Sequence, residues 1–241
     1  MLRDRFFCRW IILLVILSAL SACGITQGLR SSQVYRVRDG DTLYAIAWRY
    51  QLDYQTLAGW NNIRSPYVIH PGQELILVDP ADLPSAQRPA GSADVAVAKT
   101  THRTKTTKTK TNSPPGPPPR IFLWPTEGKV VRKFQGSKSK SQGIDIAGRE
   151  GQPVHAAADG KVVYSGSGLT GYGRLVIVKH NDDYLSAYAH NSTLHVHEGD
   201  QVKAGQLIAS MGIAEQNQAR LHFEVRKQGK PVDPLKYLPA R

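Results

Sequence analysis

Cysteine is nearly absent: Cys8 and Cys23 are the only two in 241 residues. Two cysteines exclude a disulfide-dense scaffold and a four-cysteine metal cluster. No comfortable bilayer span is offered by the apolar run at 11–17, since a span needs roughly 20 residues. Acidic side chains are in deficit, 19 against 31 Lys and Arg, for a net charge of +12. What the chain has in quantity is glycine and proline, 21 and 15, unevenly spread. A polar low-complexity tract divides the chain, which argues against a single enzyme domain of about 200 residues. An apolar content of 41%, with 8% aromatics, still supplies a core.

The first residues combine a basic start, a short apolar run and small residues before a cysteine, the pattern of an export signal. Leu20-Ser21-Ala22-Cys23 resembles a bacterial lipobox, in which Cys23 is acylated and becomes the first residue of the mature chain. Residues 1–22 are then a lipoprotein signal peptide, and 23–33 an acylated tether. The signal carries Arg3, Arg5, Arg9 and Asp4, a net +2, so +10 of the +12 remains. Several acyl chains together anchor firmly where one does not. Gly24 follows the cysteine where an aspartate would resemble an inner-membrane retention signal, which points to the outer membrane. That location excludes nucleic acid as the partner of the positive charge and leaves wall polymer, lipid head groups and acidic proteins.

Residues 34–78 read as strand, helix, helix, strand. Val34-Tyr35-Arg36-Val37 alternates. Thr42 caps a helix through Tyr50, with Leu43, Ile46, Ala47 and Tyr50 on one face. A second helix spans 53–60 with Tyr54, Leu57 and Ala58 together, Asn61-Asn62 ends it, and Glu74–Val78 forms the closing strand. Residues 79–120 carry a Lys/Thr run and then a proline run. Nothing apolar anchors them, so the expectation is a disordered basic linker, stiffened at its end by prolines. At about 3.3 Å per residue it reaches on the order of 140 Å extended. From 121 to 241 short apolar strands are separated by glycines, a pattern of one antiparallel β domain. The strands are expected at 128–132, 143–147, 153–156, 160–165, 174–180, 184–190, 207–211 and 221–226. The fold class is therefore mainly β, with a small βααβ module, a disordered linker and a C-terminal antiparallel β domain.

Tyr35-Arg36-Val37, Gly40-Asp41-Thr42-Leu43, Ile46-Ala47, Leu57-Ala58, Trp60-Asn61, Ile69 and Pro71-Gly72-Gln73-Glu74-Leu75 together resemble the LysM family over 34–78. The resemblance implies that N-acetylglucosamine chains bind in a shallow groove. It places Gly40, Asp41, Thr42 and Leu43 on one side and Val68, Ile69 and His70 on the other. Backbone amides and carbonyls there would meet the acetamido group, and apolar side chains its methyl. Leu43 and Ile69 are equally readable as core, and Asn61 reads as a helix cap rather than a sugar ligand.

Gly143-Ile144-Asp145-Ile146-Ala147, Ala157-Ala158-Asp159-Gly160-Lys161-Val162-Val163-Tyr164, Gly171-Tyr172-Gly173, Tyr188-Ala189-His190, Val202-Lys203-Ala204-Gly205-Gln206 and Leu221-His222-Phe223-Glu224-Val225 resemble the LytM, or M23, metallopeptidases over about 120–239. In active members zinc is held by a histidine four residues before an aspartate, by that aspartate, and by the second histidine of His-x-His. Two further histidines serve the chemistry. Mapped onto this chain, the aspartate is Asp145, the last ligand is His222, and the histidine of Tyr-Ala-His is His190. Ser141 stands at the first ligand position and Arg220 at the first histidine of His-x-His. A catalytic zinc needs three protein ligands and an open position. A serine hydroxyl is a poor ligand near neutrality, and a guanidinium repels the ion. The expectation is no cofactor, no metal, residual ligands Asp145 and His222, a vestigial His190, and a partner groove formed by Ser141, Asp145, His190, Arg220 and His222. Arg220 either pairs with Asp145, presents its charge to a partner carboxylate, or fills the empty metal position. His195 and His197 read as an exposed hairpin edge, with a surface metal site as the alternative; His155 and His180 read as structural, and His102 lies in the linker.

A lipoprotein joining LysM to a degenerate LytM-like domain resembles the NlpD-type activators. The segment from Lys179 to Asn191 matches that group especially well. The resemblance implies a non-catalytic protein that binds peptidoglycan glycan strands. It would switch on a periplasmic N-acetylmuramoyl-L-alanine amidase for septal wall splitting, by displacing an autoinhibitory segment from the amidase's own zinc. Two alternatives stay open: a zinc endopeptidase with an unusual ligand set, and a passive wall-binding scaffold.

Overall fold

The computed structural model describes residues 34–83, 122–136, 142–214 and 217–241. The expected signal peptide, Cys23, His102, Ser141 and nearly all of the expected linker lie outside the described residues. No helix among the described residues is long and apolar enough to cross a membrane.

The N-terminal module has the expected order: β1 (Val34–Arg36), α1 (Leu43–Arg49), α2 (Tyr54–Trp60) and β2 (Glu74–Ile76). Thr42 caps α1 by accepting from the Ala45 amide, and Asp53 caps α2 by accepting from Thr56. Asn61 is indeed a cap and more: its amide donates to the carbonyls of Leu57 (2.8 Å) and Ile76 (2.9 Å), and its oxygen accepts from the Ile76 amide (2.7 Å). It therefore ties α2 to β2. One expectation fails. Tyr50, placed on the buried face of the first helix, is 41% exposed, while Ala45 and Trp48 are buried. The helix stops one residue earlier, so Tyr50 leaves the stripe, and a second side of α1 is covered from outside the module. Seven-residue helices do not persist alone in water, so this packing holds them.

The C-terminal domain is one antiparallel sheet in the order β3 (Val130–Arg132), β4 (Ile144–Ala147), β11 (Arg220–Lys227), β8 (Tyr184–Leu194), β7 (Arg174–Lys179), β6 (Gly160–Gly166) and β9 (Gln201–Val202). β10 (Leu207–Met211) bridges β8 and β5 (Pro153–His155), and β12 (Lys230–Val232) flanks β11. The expected strands are all present. β9 and β12 were not anticipated, being two and three residues long, and Pro231 is tolerated because β12 is an edge. β8 also runs past His190 to Leu194: the β7–β8 register shifts around the left-handed His190 (φ 63), an irregularity that the strand accommodates.

Period-two alternation divides the sheet into two faces. Ile144, Ile146, Val176, Val178, Tyr188, Leu221, Phe223 and Val225 point into one core, closed by Phe122, Ile208 and Leu238. On the other face, Leu175, Ile177, Leu185, Ala187 and Ala189 join the core of the N-terminal module. The two units, expected to be separated by a spacer, pack on one another. The segment after β2 is ordered through a short 3₁₀ turn at Pro80–Asp82 to the buried Leu83, so the first residues of the expected linker belong to folded structure.

Candidate functional site

Alternation also builds the site. In β11, Arg220, His222, Glu224 and Arg226 fall on the face opposite Leu221, Phe223 and Val225. β4 pairs with β11 so that Asp145 lies opposite His222, and β8 pairs on the other side with Ala189 opposite His222. Gly143 is required beside them, since a Cβ there would stand 2.3 Å from the Phe223 carbonyl oxygen. His190, turned by its left-handed backbone, brings its ring to 6.1 Å from the His222 ring.

These side chains form a continuous charged chain. Arg132 Nη2 lies 3.0 Å from Asp145 Oδ1 and 2.9 Å from Oδ2, and Arg220 Nε lies 3.5 Å from Oδ2. Asp145 Oδ1 accepts from His222 Nδ1 at 2.7 Å. His222 Nε2 donates to Glu224 Oε1 at 3.0 Å, which also accepts from the Tyr172 hydroxyl at 2.9 Å. Glu224 Oε2 takes both Nε (3.2 Å) and Nη2 (3.1 Å) of Arg226. Arg226 Nη1 then donates to the Trp48 carbonyl of the N-terminal module at 2.7 Å, with the guanidinium 3.6 Å from the centre of the indole ring. Asp145, Glu224 and Arg226 are almost fully buried. Burial on this scale is tolerable because each charge faces an opposite charge, mostly through directed hydrogen bonds; Asp145 Oδ2 is held by its ion pairs with Arg132 and Arg220 without a directed hydrogen bond.

Burial pushes the His222 pKa down, but the hydrogen bonds to Asp145 and Glu224 outweigh it and raise the value to about 9. His222 is therefore an imidazolium at neutral pH, donating from both nitrogens. Burial opposes ionisation of Asp145 and Glu224 too, but their cationic partners hold both below the ordinary carboxylate range. His190 is lowered, by burial and then by the charge on His222. His222, at about 6.5 unfolded and about 9 folded, contributes stability that is complete below pH 6.5 and lost as pH rises through 9. Melting temperature is expected to fall between pH 6.5 and 9.5, by the equivalent of roughly 2–3 kcal/mol, and His222→Gln to remove that slope. A His222→Gln chain that keeps the full slope would contradict this.

The arrangement does not fit zinc. Both His222 nitrogens are engaged by carboxylates, Nδ1 by Asp145 at 2.7 Å and Nε2 by Glu224 at 3.0 Å. Asp145 is already shared by Arg132, Arg220 and His222. Among the described residues no group of three or more His, Cys, Asp or Glu is gathered to hold a metal ion. Of the three roles left open for Arg220, pairing with Asp145 is the one observed. His195 and His197 lie beyond the end of β8: His195 meets the Ser210 hydroxyl at 2.9 Å, and His197 is an exposed side chain beside Asp200. His180 is structural, held between the Asp159 carbonyl and the Ser186 hydroxyl at 2.7 Å each, with burial pushing its pKa down to about 4.

In the N-terminal module the two loops expected to bind glycan leave the same end of the β1–β2 pair, where Gly72 donates to Val37 and Val37 to Gln73. Gly40, Val68 and His70 are exposed and Ile69 is half-buried. Leu43 is core, and Asp41 pins its loop by accepting from the Tyr35 hydroxyl (2.6 Å) and the Arg38 amide (2.9 Å). Thr42 is buried, and its hydroxyl donates to the Val163 carbonyl across the interface (3.2 Å). An open cavity of about 720 Å³ lined by Trp124, Arg149 and Arg241 among others includes none of the sequence-derived site residues.

Comparison with known proteins follows this anatomy. The LysM domain family matches residues 35–78, and Peptidase family M23 matches 139–234. Murein hydrolase activator NlpD of Escherichia coli K12 is 40% identical over 267 residues, covering 90% of this chain and 70% of that protein. The chain belongs to the NlpD family. Lipoprotein NlpD/LppB homolog of Pseudomonas aeruginosa is 44% identical over 233 residues, covering 88% of this chain and 78% of that one. Outer membrane antigenic lipoprotein B of Histophilus somni is 38% identical over 231 residues, covering 87% and 68%. Within this NlpD-family chain, sequence reading missed Arg132, Glu224, Arg226 and Tyr172. Glu224 and Arg226 were within reach, because they continue the alternation of Arg220 and His222; Arg132 and Tyr172 come from other segments.

Proposed function

We propose that the protein is a non-catalytic, lipid-anchored activator of cell-wall hydrolysis. Residues 34–78 hold peptidoglycan glycan strands through Gly40, Asp41 and Thr42 on one side and Val68, Ile69 and His70 on the other, with Leu43 anchoring the first loop from the core rather than touching sugar. The domain at 121–241 binds a periplasmic N-acetylmuramoyl-L-alanine amidase through the surface around Ser141, Asp145, His190, Arg220 and His222. Cys23 anchors the chain in the outer membrane facing the periplasm, with use at the division septum, and the part of 79–120 that follows the folded turn ending at Leu83 serves as the basic spacer. The observation that supports this reading is His222 packed between Asp145 and Glu224, with Arg132 and Arg220 paired to the same Asp145 carboxylate. The murein hydrolase activator among the relatives supports it. Activation needs no bond making here. It requires only that this surface bind the open amidase more tightly than the autoinhibited one.

The test is release of dye from labelled sacculi by the chain from residue 24, alone with Zn²⁺ and with each purified periplasmic amidase. Silence alone and strong release with one amidase is the expected result. Zinc-dependent release by the chain alone, abolished by His222→Ala, would overturn the reading in favour of an endopeptidase. Failure to bind or stimulate any amidase would leave a scaffold.

A further inference from the structure

The contact between the N-terminal module and the β domain is not required by either half of that reading. It is nonetheless extensive and specific. Leu175, Ile177, Leu185 and Ala187 are buried on the sheet face that the module covers. Without the module they would form an apolar strip beside Glu224 and Arg226. At the β11–β12 turn Gly229 (φ +73) touches the module so closely that a Cβ would stand 2.5 Å from Leu52 O and Asp53 N. The contact shares β11 with the charged site, through Arg226 and Trp48. It also uses the glycan-facing loop: the single hydroxyl proton of Thr42 goes to Val163 O, while its oxygen accepts from Ala45. Thr42 has no further proton to donate to a sugar while the module is docked. Gly40, Val68 and His70 stay exposed, so a glycan can engage the open side first.

We infer that the module is a displaceable occupant of the site face, and that a glycan containing N-acetylglucosamine competes with the β domain for the Thr42 edge. Glycan binding then uncovers the apolar strip, and the amidase is the partner that takes the module's place. This rests on the proposed function and adds the control of its docking surface: the activator is closed in solution and opens on the wall. Because coupling is reciprocal, undocking must strengthen glycan binding by the same factor by which glycan weakens docking.

The chain from residue 24 contains no cysteine, so Ala187→Cys supplies a single thiol under the module. Maleimide labelling of that thiol should be slow, and should rise at least tenfold with saturating N-acetylglucosamine hexamer or with Gly229→Asn. Asparagine tolerates the left-handed backbone at 229, but its Cβ collides with Leu52 and Asp53. In the cysteine-free chain, Gly229→Asn should bind the hexamer at least threefold more tightly by calorimetry. That comparison decides the matter if Ala187→Cys fails to melt cooperatively. Unchanged labelling with the hexamer bound, equal affinities, or no hexamer binding at all would each overturn the competition. Amidase stimulation measured in parallel separates the two ideas. Stimulation indifferent to hexamer and to Gly229→Asn removes the competition and leaves the activator; opening without stimulation of any amidase does the reverse.

Discussion

Replacing Arg226 by alanine is expected to cost about 3–5 kcal/mol, because it strands the buried Glu224 carboxylate without its bidentate partner. Melting should fall by about 10 °C or more. The Trp48 carbonyl loses its donor and the indole its cation in the same step, so the module should also come off the sheet. Arg226→Lys keeps the charge but not the fork, which reaches Glu224, Gln142 and Trp48 at once. Lysine should therefore recover less than half of the loss. A full recovery would mean that charge alone, not the guanidinium geometry, joins the two units. Thermal melts of the three chains, with tryptophan fluorescence to follow Trp48, provide the measurement.

Asp145→Asn should be the second large effect, on the order of 3 kcal/mol at pH 6. The carboxylate is fully buried and is the shared counter-ion of Arg132, Arg220 and the His222 imidazolium. With it neutralised, His222 loses one of the two carboxylates that raise its pKa, and the value falls toward the ordinary one. The cost should therefore shrink as pH rises past 9, where His222 is losing its proton in the unsubstituted chain as well. A cost independent of pH would show that the Asp145–His222 pair is not ionic. Chelation offers an orthogonal check. If Asp145 and His222 bind each other rather than a metal, EDTA leaves the melting temperature of the unsubstituted chain unchanged. A drop restored by Zn²⁺ would reverse the assignment of the site.

Much of this protein is written in local pattern. Thr42 and Asp53 begin helices because their side-chain oxygens can take an amide two or three residues on, and that depends on nothing distant. Strand positions follow from alternation and from glycine-marked turns, while Arg220 and His222 were paired by the His-x-His likeness, and the strand that begins at Arg220 puts them on one face. Asp145 and His222 were brought together on paper by family likeness, and the β4–β11 register does so in space.

Tertiary structure decided the rest, for two physical reasons. Ionisation is set by neighbours: nothing local to His222 shows that Asp145 and Glu224 both accept from it and that it is therefore a cation. Coverage of a sheet's second face is likewise a long-range fact. The run Leu175-Val176-Ile177-Val178 is apolar at every position, which is the mark of a strand buried on both sides. That pattern says that something covers the second face but carries no information about what. The cover is a module almost 100 positions earlier in the chain, and its packing explains why Trp48 is buried and why Gly229 has no room for a side chain.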